Sequence, residues 1–201
     1  MEVRFFTTAG LGVGWVAPEP RRIQRTSHAL EDGGRVWVVD PVAAHEVEHR
    51  IRALGEPAGV LQLLDRHQRD CEGLAALLDI PLYRLPFDGV PGAPFVPLRL
   101  LDRYGWREVA LWWPSRRALV CAEALGTAPH YLGPGERLAV HPLLRARPPR
   151  WLRGLAPEHV LCGHGQGIHG REAALALDEA LSTARRRAPR WLWHQILGRR
   201  R

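Results

Sequence analysis

The chain has 201 residues, of which 46% are hydrophobic and 24% are charged, a balance typical of one soluble globular domain. No stretch approaches the roughly 20 apolar residues of a membrane span, and the start, MEVRFFTTAG, lacks the pattern of a signal region. All 28 basic residues are Arg, which excludes lysine Schiff-base and P-loop chemistry. The net charge of +7 is only weak support for a polyanionic partner, because Arg residues scattered along a chain usually lie on a solvated surface. We therefore expect a cytoplasmic protein in which residues 1–201 form a single domain.

The first part of the chain has the composition of β-strands. Residues 2–17 predict two short strands joined near Gly10 to Gly12. Residues 28–39 predict a hairpin, because the turn EDGG places two consecutive glycines between two β-prone runs. Residues 41–54 then predict a helix that ends at the glycine-flanked segment 55–59.

The stretch 60–78, VLQLLDRHQRDCEGLAALL, is the most informative part of the sequence. It predicts a buried strand, a polar loop at 65–72 and an amphipathic helix. A short parallel strand is predicted at 80–85. Because α/β proteins place their sites at the carboxyl ends of strands, the polar loop is the first candidate site.

The second half of the chain alternates irregular and regular segments. The predicted elements are, in order, a Pro/Gly-rich loop at 86–97, a hairpin of strands at 106–113 and 118–122, an irregular region at 129–157 with a short helix near 149–155, a last strand at 160–162 and a helix at 168–187. The last strand runs into VLCGHGQG, which places a glycine-flanked His at a strand end.

The three cysteines exclude a disulfide framework and a Cys-only zinc site, because their number is odd and their spacing is far from CxxC. Cys121 and Cys162 lie in apolar runs and are predicted to be core residues. Cys71 differs, because it follows Asp70 in the polar loop.

Four segments together resemble the metallo-β-lactamase superfamily over about residues 28–181. VVDP is similar to an early strand that ends in Asp, and VLQLLDRHQRDCEGLAALL is similar to the strand, HxHxDH loop and helix of that family. REVALWWPSRRALVCAEALG resembles the hairpin that carries a metal-bridging acid, and VLCGHGQG resembles the final Gly-His-Gly element. The resemblance implies an α/β fold, a four-layer αββα sandwich of two sheets flanked by helices.

The resemblance also implies a metal cofactor. Proteins of this superfamily hold one or two ions, usually zinc and sometimes iron or manganese, in an open site. Such an ion lowers the pKa of bound water to about 7, and the hydroxide attacks a carbonyl or phosphoryl centre. A chain that retains too few ligands would bind no metal, which is the alternative for this sequence.

The HxHxDH signature is degenerate here, and two registers remain open. If Asp70 takes the place of the aspartate, Cys71 replaces the following His and the two earlier His positions are lost. If His67 is kept, Asp65 takes the first His position and the loop is one residue too long before Asp70. The third His, expected before residues 106–113, has only Tyr104 nearby.

The remaining ligands come from the later segments. Glu123 stands where the bridging acid is expected, and His164 matches the Gly-His-Gly element. The resemblance therefore implies three metal ligands: Asp70, Glu123 and His164. His67, Cys71 and Asp65 are the possible substitutes. Asp70 is also the candidate catalytic residue.

Two arginines in the polar loop favour another interpretation. Arg66 at a His position would repel a metal and could instead pair with Asp70 or Glu123. Together with Arg69 it predicts the binding of an anionic small molecule by a metal-free protein. The loop could also be purely structural, with Arg-carboxylate bonds and Asp70 at the start of the following helix.

Residues 185–201, RRRAPRWLWHQILGRRR, form a basic tail. It predicts either a last helix that packs its apolar residues on the domain, or a segment that binds an anionic membrane or a nucleic acid. Three hypotheses follow: a divergent metallo-hydrolase acting on an ester, thioester or phosphodiester, a metal-free binding protein for an anionic small molecule, and a basic adaptor that acts through its tail.

Overall fold

The computed structural model describes residues 2–17, 23–103 and 105–197, in which two β-sheets carry most of the strands. The first sheet has the order β1-β2-β3-β4-β5-β6 and is built from Arg4–Thr7, Gly12–Val16, Thr26–Asp32, Arg35–Val39, Glu56–Gln62 and Leu82–Arg84. The second has the order β13-β12-β9-β8-β7, with β7 Val96–Arg103, β8 Trp106–Trp113, β9 Ala118–Cys121, β12 His159–Cys162 and β13 Ile168–His169. A small pair is formed by β10 Leu125–Gly126 and β11 Ala139–Val140.

The helices of the described residues are α1 Val47–Leu54, α2 Cys71–Leu78 and α3 Glu172–Leu197, with short 3-10 helices at Pro114–Arg116, Pro142–Leu144 and Arg150–Leu155. α1 and α2 contact the first sheet, and α3 contacts β12 and β13 of the second. No helix in this part of the chain combines the length and the apolar character needed to cross a membrane.

The first sheet changes from antiparallel to parallel pairing at β4. The β3–β4 hairpin turns at Gly33 and Gly34, both with positive φ (58° and 83°), which the two-residue turn requires. α1 then carries the chain back so that β5 pairs with β4 in parallel, and α2 does the same for β6. The carboxyl ends of β4 and β5 therefore open at one edge.

The core lies mainly between the two sheets. Leu30, Trp37 and Leu61 of the first sheet share one buried cluster with Leu111 and Leu161 of the second, and the apolar side of α3 joins it. A second cluster fills the space between the first sheet and the helices α1 and α2. Burial on both faces explains why the central strands are almost continuously apolar.

Several predicted elements have other bounds in the structure. The helix expected at 41–54 begins at Val47, because the preceding segment is held to β2 and β3 by hydrogen bonds such as the one from Trp15 Nε1 to the Val42 carbonyl (2.8 Å). The strand before the polar loop begins at Glu56, within the segment predicted to separate it from the helix.

In the second half, β7 was not predicted. It is an edge strand, where Pro97 is tolerated because its missing N–H faces no partner. The strand at 160–162 is not the last one, since Ile168–His169 pairs with β12 and delays the start of the final helix to Glu172. That helix also continues past residue 187, through Pro189, to Leu197.

A buried histidine joins the two sheets and predicts acid sensitivity. The His28 ring in β3 lies with Nε2 3.0 Å from the Cys162 carbonyl of β12, and burial lowers the pKa of His28 from 6.5 to about 4. The unfolded chain therefore takes up this proton first. Stability is complete above about pH 6.5 and falls by about 3 kcal/mol as the pH drops to about 4.

Urea unfolding at neutral pH and near pH 4 measures this effect. His28→Gln keeps a donor for the Cys162 carbonyl but cannot titrate, so we expect its stability to fall less on acidification. An equal loss in the variant and the wild type would contradict this assignment.

Candidate metal centre

Two parallel strands bring Glu123 and His164 together. β9 and β12 pair in parallel with Cys121 opposite Cys162. Glu123 and His164 each lie two residues beyond these paired positions, so both leave the sheet at the same edge. His67, in the polar loop after β5, reaches this point from the first sheet.

One carboxylate oxygen of Glu123 faces both imidazoles. Glu123 Oε1 lies 3.4 Å from His67 Nε2 and 3.7 Å from His164 Nε2. The ligand atoms of the three residues all lie within 4.8 Å of one another. Zinc bonds of about 2.1 Å in a tetrahedron place neighbouring ligand atoms about 3.4 Å apart. The two distances from Glu123 Oε1 are therefore close to those that a single zinc ion requires.

Each imidazole is oriented through its other ring nitrogen. His67 Nδ1 lies 2.7 Å from Asp40 Oδ2, and His164 Nδ1 lies 3.0 Å from the Ile23 carbonyl. Because both partners accept hydrogen bonds, the proton of the neutral ring belongs on Nδ1 and Nε2 presents its lone pair to the cluster. His164 Nε2 is buried and has no hydrogen-bond partner among the described residues. This orphaned lone pair is the observation that fits a metal ligand.

The charges around the cluster favour an ionised Glu123. Burial opposes its ionisation, but the hydrogen bond from Arg66 and the positive charge of protonated His67 favour it, and the pKa of Glu123 is held well below its ordinary value. Burial and Arg69 oppose the protonation of His67, whereas Asp40 and Glu123 favour it, and the balance raises the pKa of His67. Burial lowers the pKa of His164, which keeps this ring neutral.

A second buried carboxylate positions the loop that carries Glu123. Glu108 Oε1 accepts hydrogen bonds from the backbone N–H groups of Ala122, Glu123 and Ala124, at 3.0, 2.9 and 3.0 Å. Its other oxygen accepts from Trp106 Nε1 at 2.9 Å. Three convergent donors on one oxygen define the turn after β9, and hence the direction of Glu123.

Both predicted arginines border the cluster. Arg66 Nη2 donates to Glu123 Oε2 at 2.7 Å, and Nη1 donates to the Gly105 carbonyl at 2.8 Å. The expected ion pair is thus confirmed for Glu123. It leaves the other carboxylate oxygen free to face the imidazoles.

Arg69 is held by backbone carbonyls rather than by an acid. Nη1 donates to the carbonyls of Thr26 and Asp40 at 2.7 and 2.8 Å, and Nη2 donates to Gly163 at 3.0 Å. The same Nη2 lies 3.5 Å from His67 Nε2. A fixed positive charge therefore stands beside the three ligand atoms.

The structure does not bring the other predicted ligands into the cluster. Asp70 Oδ2 accepts from the Ala43 N–H at 2.8 Å, and Asp70 precedes α2 without a side-chain cap. The Cys71 thiol donates to the His67 carbonyl at 3.4 Å, and burial raises its pKa to about 12. The carboxylate of Asp65 accepts hydrogen bonds from backbone N–H groups. Each of these side chains stabilises the conformation of the polar loop through hydrogen bonds to the backbone.

The remaining predicted residues have other surroundings. Tyr104 lies outside the described residues. Cys121 and Cys162 are core residues, as predicted.

Sequence reasoning gave no site role to Asp40, Glu108 or Tyr131. Asp40 orients His67, and the Tyr131 hydroxyl donates to the Glu123 carbonyl at 2.8 Å. The role of Glu108 could have been found in the sequence, because this acid lies inside the apolar strand WREVALWW and a carboxylate in such a strand needs buried hydrogen-bond partners.

Solved metallo-β-lactamases have this fold. DIM-1 metallo-beta-lactamase exposed to ceftazidime gives a TM-score of 0.62 at 13% identity, over 92% of this chain and 98% of that chain. The mono-zinc form of FIM-1 from Pseudomonas aeruginosa gives 0.62 at 10% identity, over 92% and 97%. The chemotaxis sensor ODP, as a peroxy diiron species, gives 0.57 at 13% identity, over 90% and 94%.

No protein-family model matches the sequence, and no curated protein sequence matches it. The likeness in structure nevertheless extends over most of the chain, as the order of the sequence segments predicted. The chain has the metallo-β-lactamase fold, and two His and one Glu of its described residues form a compact candidate metal centre.

The contact between Asp40 and His67 yields a prediction about metal affinity. Asp40→Asn removes the charge that orients His67, so we expect zinc to bind about 10–100-fold more weakly, as for other such partners of metal-binding His. Competition with a zinc-chelating dye measures the affinity. Asp70→Asn, in a carboxylate outside the cluster, is the matched control and should bind zinc like the wild type. Equal affinity of Asp40→Asn and the wild type would refute the orienting role.

Proposed function

We propose that this chain is a divergent metal-dependent hydrolase that binds one ion through His67, Glu123 and His164. The observation that carries the proposal is the buried Nε2 of His164, which has no hydrogen-bond partner in the described structure and lies 3.7 Å from Glu123 Oε1. Three protein ligands are the number that catalytic zinc sites use, with one position left open.

The proposal specifies one ion because of Arg69. Its guanidinium lies 3.5 Å from His67 Nε2 and is tied to three carbonyls, so it cannot withdraw easily. A second divalent cation on the Arg69 side of the cluster would be repelled by the guanidinium charge, which is only weakly screened because it is partly buried. Zinc is the ion that two imidazoles and one carboxylate favour, and its chemistry when bound is to acidify a coordinated water and polarise the substrate.

The chain's own residues would prepare the site in three ways. Asp40 holds His67 in the tautomer that exposes Nε2, and Glu108 aims the Glu123 loop. Arg66 is about two-fifths exposed (41%) and can offer hydrogen bonds to an anionic group at the mouth of the site. These features favour an ester, thioester or phosphodiester that carries a negative charge.

The test is a hydrolysis screen of zinc-loaded protein against ester, thioester and phosphodiester substrates. We expect chelator-sensitive turnover of at least one class, which His164→Ala abolishes and Asp70→Asn retains. Turnover that survives both chelation and His164→Ala would contradict the proposal, as would a zinc-loaded protein with no turnover of any class.

A second candidate function is the metal-free binding of a small anion. It is favoured by the short distance between the Arg69 guanidinium and His67 Nε2, because the guanidinium would repel a cation bound to that nitrogen. In that case Arg66 and Arg69 would supply the positive charge. Calorimetry with inorganic phosphate on chelator-treated protein separates the two, since binding lost in Arg66→Gln but independent of zinc supports this alternative.

A further inference from the structure

The last turns of α3 have one side docked on the domain. Trp191 Nε1 donates to the His130 carbonyl at 3.0 Å, and Gln195 Nε2 donates to the carbonyls of Pro129 and Leu132, both at 3.2 Å. Residue 191 and residue 195 are one turn apart, so these bonds define the docked side of the helix. The helix end is thereby held in one orientation.

The adjacent side of the same turns is apolar and exposed. Pro189, Leu192, Trp193 and Ile196 recur at intervals of three, one and three residues, which places them on one stripe, the tail patch. Leu192 is 52% exposed, Trp193 65% and Ile196 45%. An apolar stripe of this kind on a surface helix normally faces a partner.

The charge beside the tail patch has one sign. Arg185, Arg186 and Arg190 are exposed on the same turns, and no acidic residue follows Glu179 in the sequence. The chain then continues into Arg199 to Arg201. Basic residues flanking Trp, Leu and Ile are the composition of helices that lie in the plane of an anionic bilayer surface.

We propose that the tail patch binds an anionic membrane surface, with α3 lying along it. Trp193, Leu192 and Ile196 would enter the boundary between headgroups and acyl chains, and the arginines would contact lipid phosphates. A nucleic acid would use the arginines but would leave the aliphatic side chains exposed. The membrane is therefore the partner that uses both features of the patch.

The position of the patch would place the candidate metal centre near the bilayer. The docked side of the helix holds residues 129–132, and the ring of His130 lies 5.4 Å from the ring of His164. One helix diameter, about 10 Å, thus separates the patch from the segment that borders the site.

Co-sedimentation of the full chain with vesicles tests the proposal. We expect binding to phosphatidylglycerol-containing vesicles at low salt, little binding to pure phosphatidylcholine, and release by high salt. Replacing Arg185, Arg186 and Arg190 by Gln should weaken binding by about fivefold for each Arg. The variant L192S/W193S/I196S should lose binding more than tenfold, because it removes the apolar contacts.

Leu77→Ser is the matched control, because Leu77 is an exposed Leu (57%) on α2, a different helix that contacts the first sheet. It should bind vesicles like the wild type. Absence of binding to anionic vesicles at low salt would overturn the proposal, as would full binding by L192S/W193S/I196S. Self-association that disappears in this variant, without vesicle binding, would assign the patch to contact with a second copy instead.

Discussion

Replacing Arg145 by Met is expected to lower the free energy of unfolding by about 3–5 kcal/mol. The Arg145 and Glu136 side chains are almost completely buried (1% and 2% exposed) and are joined by two hydrogen bonds of 2.8 and 2.7 Å. Arg145 Nη2 also donates to the Tyr131 carbonyl at 2.7 Å. Removing the guanidinium leaves the Glu136 carboxylate buried without a cation, and an uncompensated buried charge strongly destabilises the folded state.

Chemical denaturation followed by circular dichroism measures this loss. Arg153→Met is the matched control, because the Arg153–Asp178 pair is half exposed (51% on each side) and should change stability by less than about 1 kcal/mol. The double variant R145M/E136Q should recover part of the loss, since it also removes the unpaired charge. Equal stability of Arg145→Met and Arg153→Met would refute this account of the pair.

Glu108→Ala is expected to destabilise the fold by about 4 kcal/mol or more, because four donors lose their acceptor and each costs about 1–3 kcal/mol. The donors are three backbone N–H groups, which include that of Glu123, and the indole of Trp106. The same change releases the turn that aims Glu123. We therefore expect weaker zinc binding as well as lower stability.

Glu72→Ala is the control for Glu108→Ala. Its side chain is 80% exposed and pairs only at the surface with Arg84, so its loss should cost less than about 1 kcal/mol. Urea unfolding and zinc titration of both variants check the two effects together. A Glu108→Ala protein as stable as Glu72→Ala, with unchanged zinc affinity, would show that the buried carboxylate does not organise the turn.

Much of the fold could be predicted from local patterns. The β3–β4 hairpin follows from two glycines between β-prone runs, and β5 and α2 follow from a change of apolar period within residues 60–78. β7 could not be predicted, because its sequence lacks a clear alternation of apolar and polar residues. The strand forms by pairing with β8. The extension of α3 through Pro189 depends on its docking against residues 129–132, which lie far away in sequence.

The candidate site was predictable in part. Glu123 and His164 follow from the resemblance of their segments to the metal-bridging hairpin and the Gly-His-Gly element, and the parallel register of β9 and β12 brings them together. The choice between His67 and Asp70 was not predictable, because a degenerate motif fits two registers and only the path of the loop selects one. The loop turns the ring of His67 inward and uses Asp70 to hold the Ala43 backbone.

The most direct test of the metal centre is the zinc content of tag-free protein, by mass spectrometry, after zinc loading and removal of excess metal. We expect one equivalent of zinc in the wild type and in Asp70→Asn, and none in His164→Ala or Glu123→Gln. A wild type without zinc, or zinc retained in His164→Ala and lost in Asp70→Asn, would contradict the proposed metal centre.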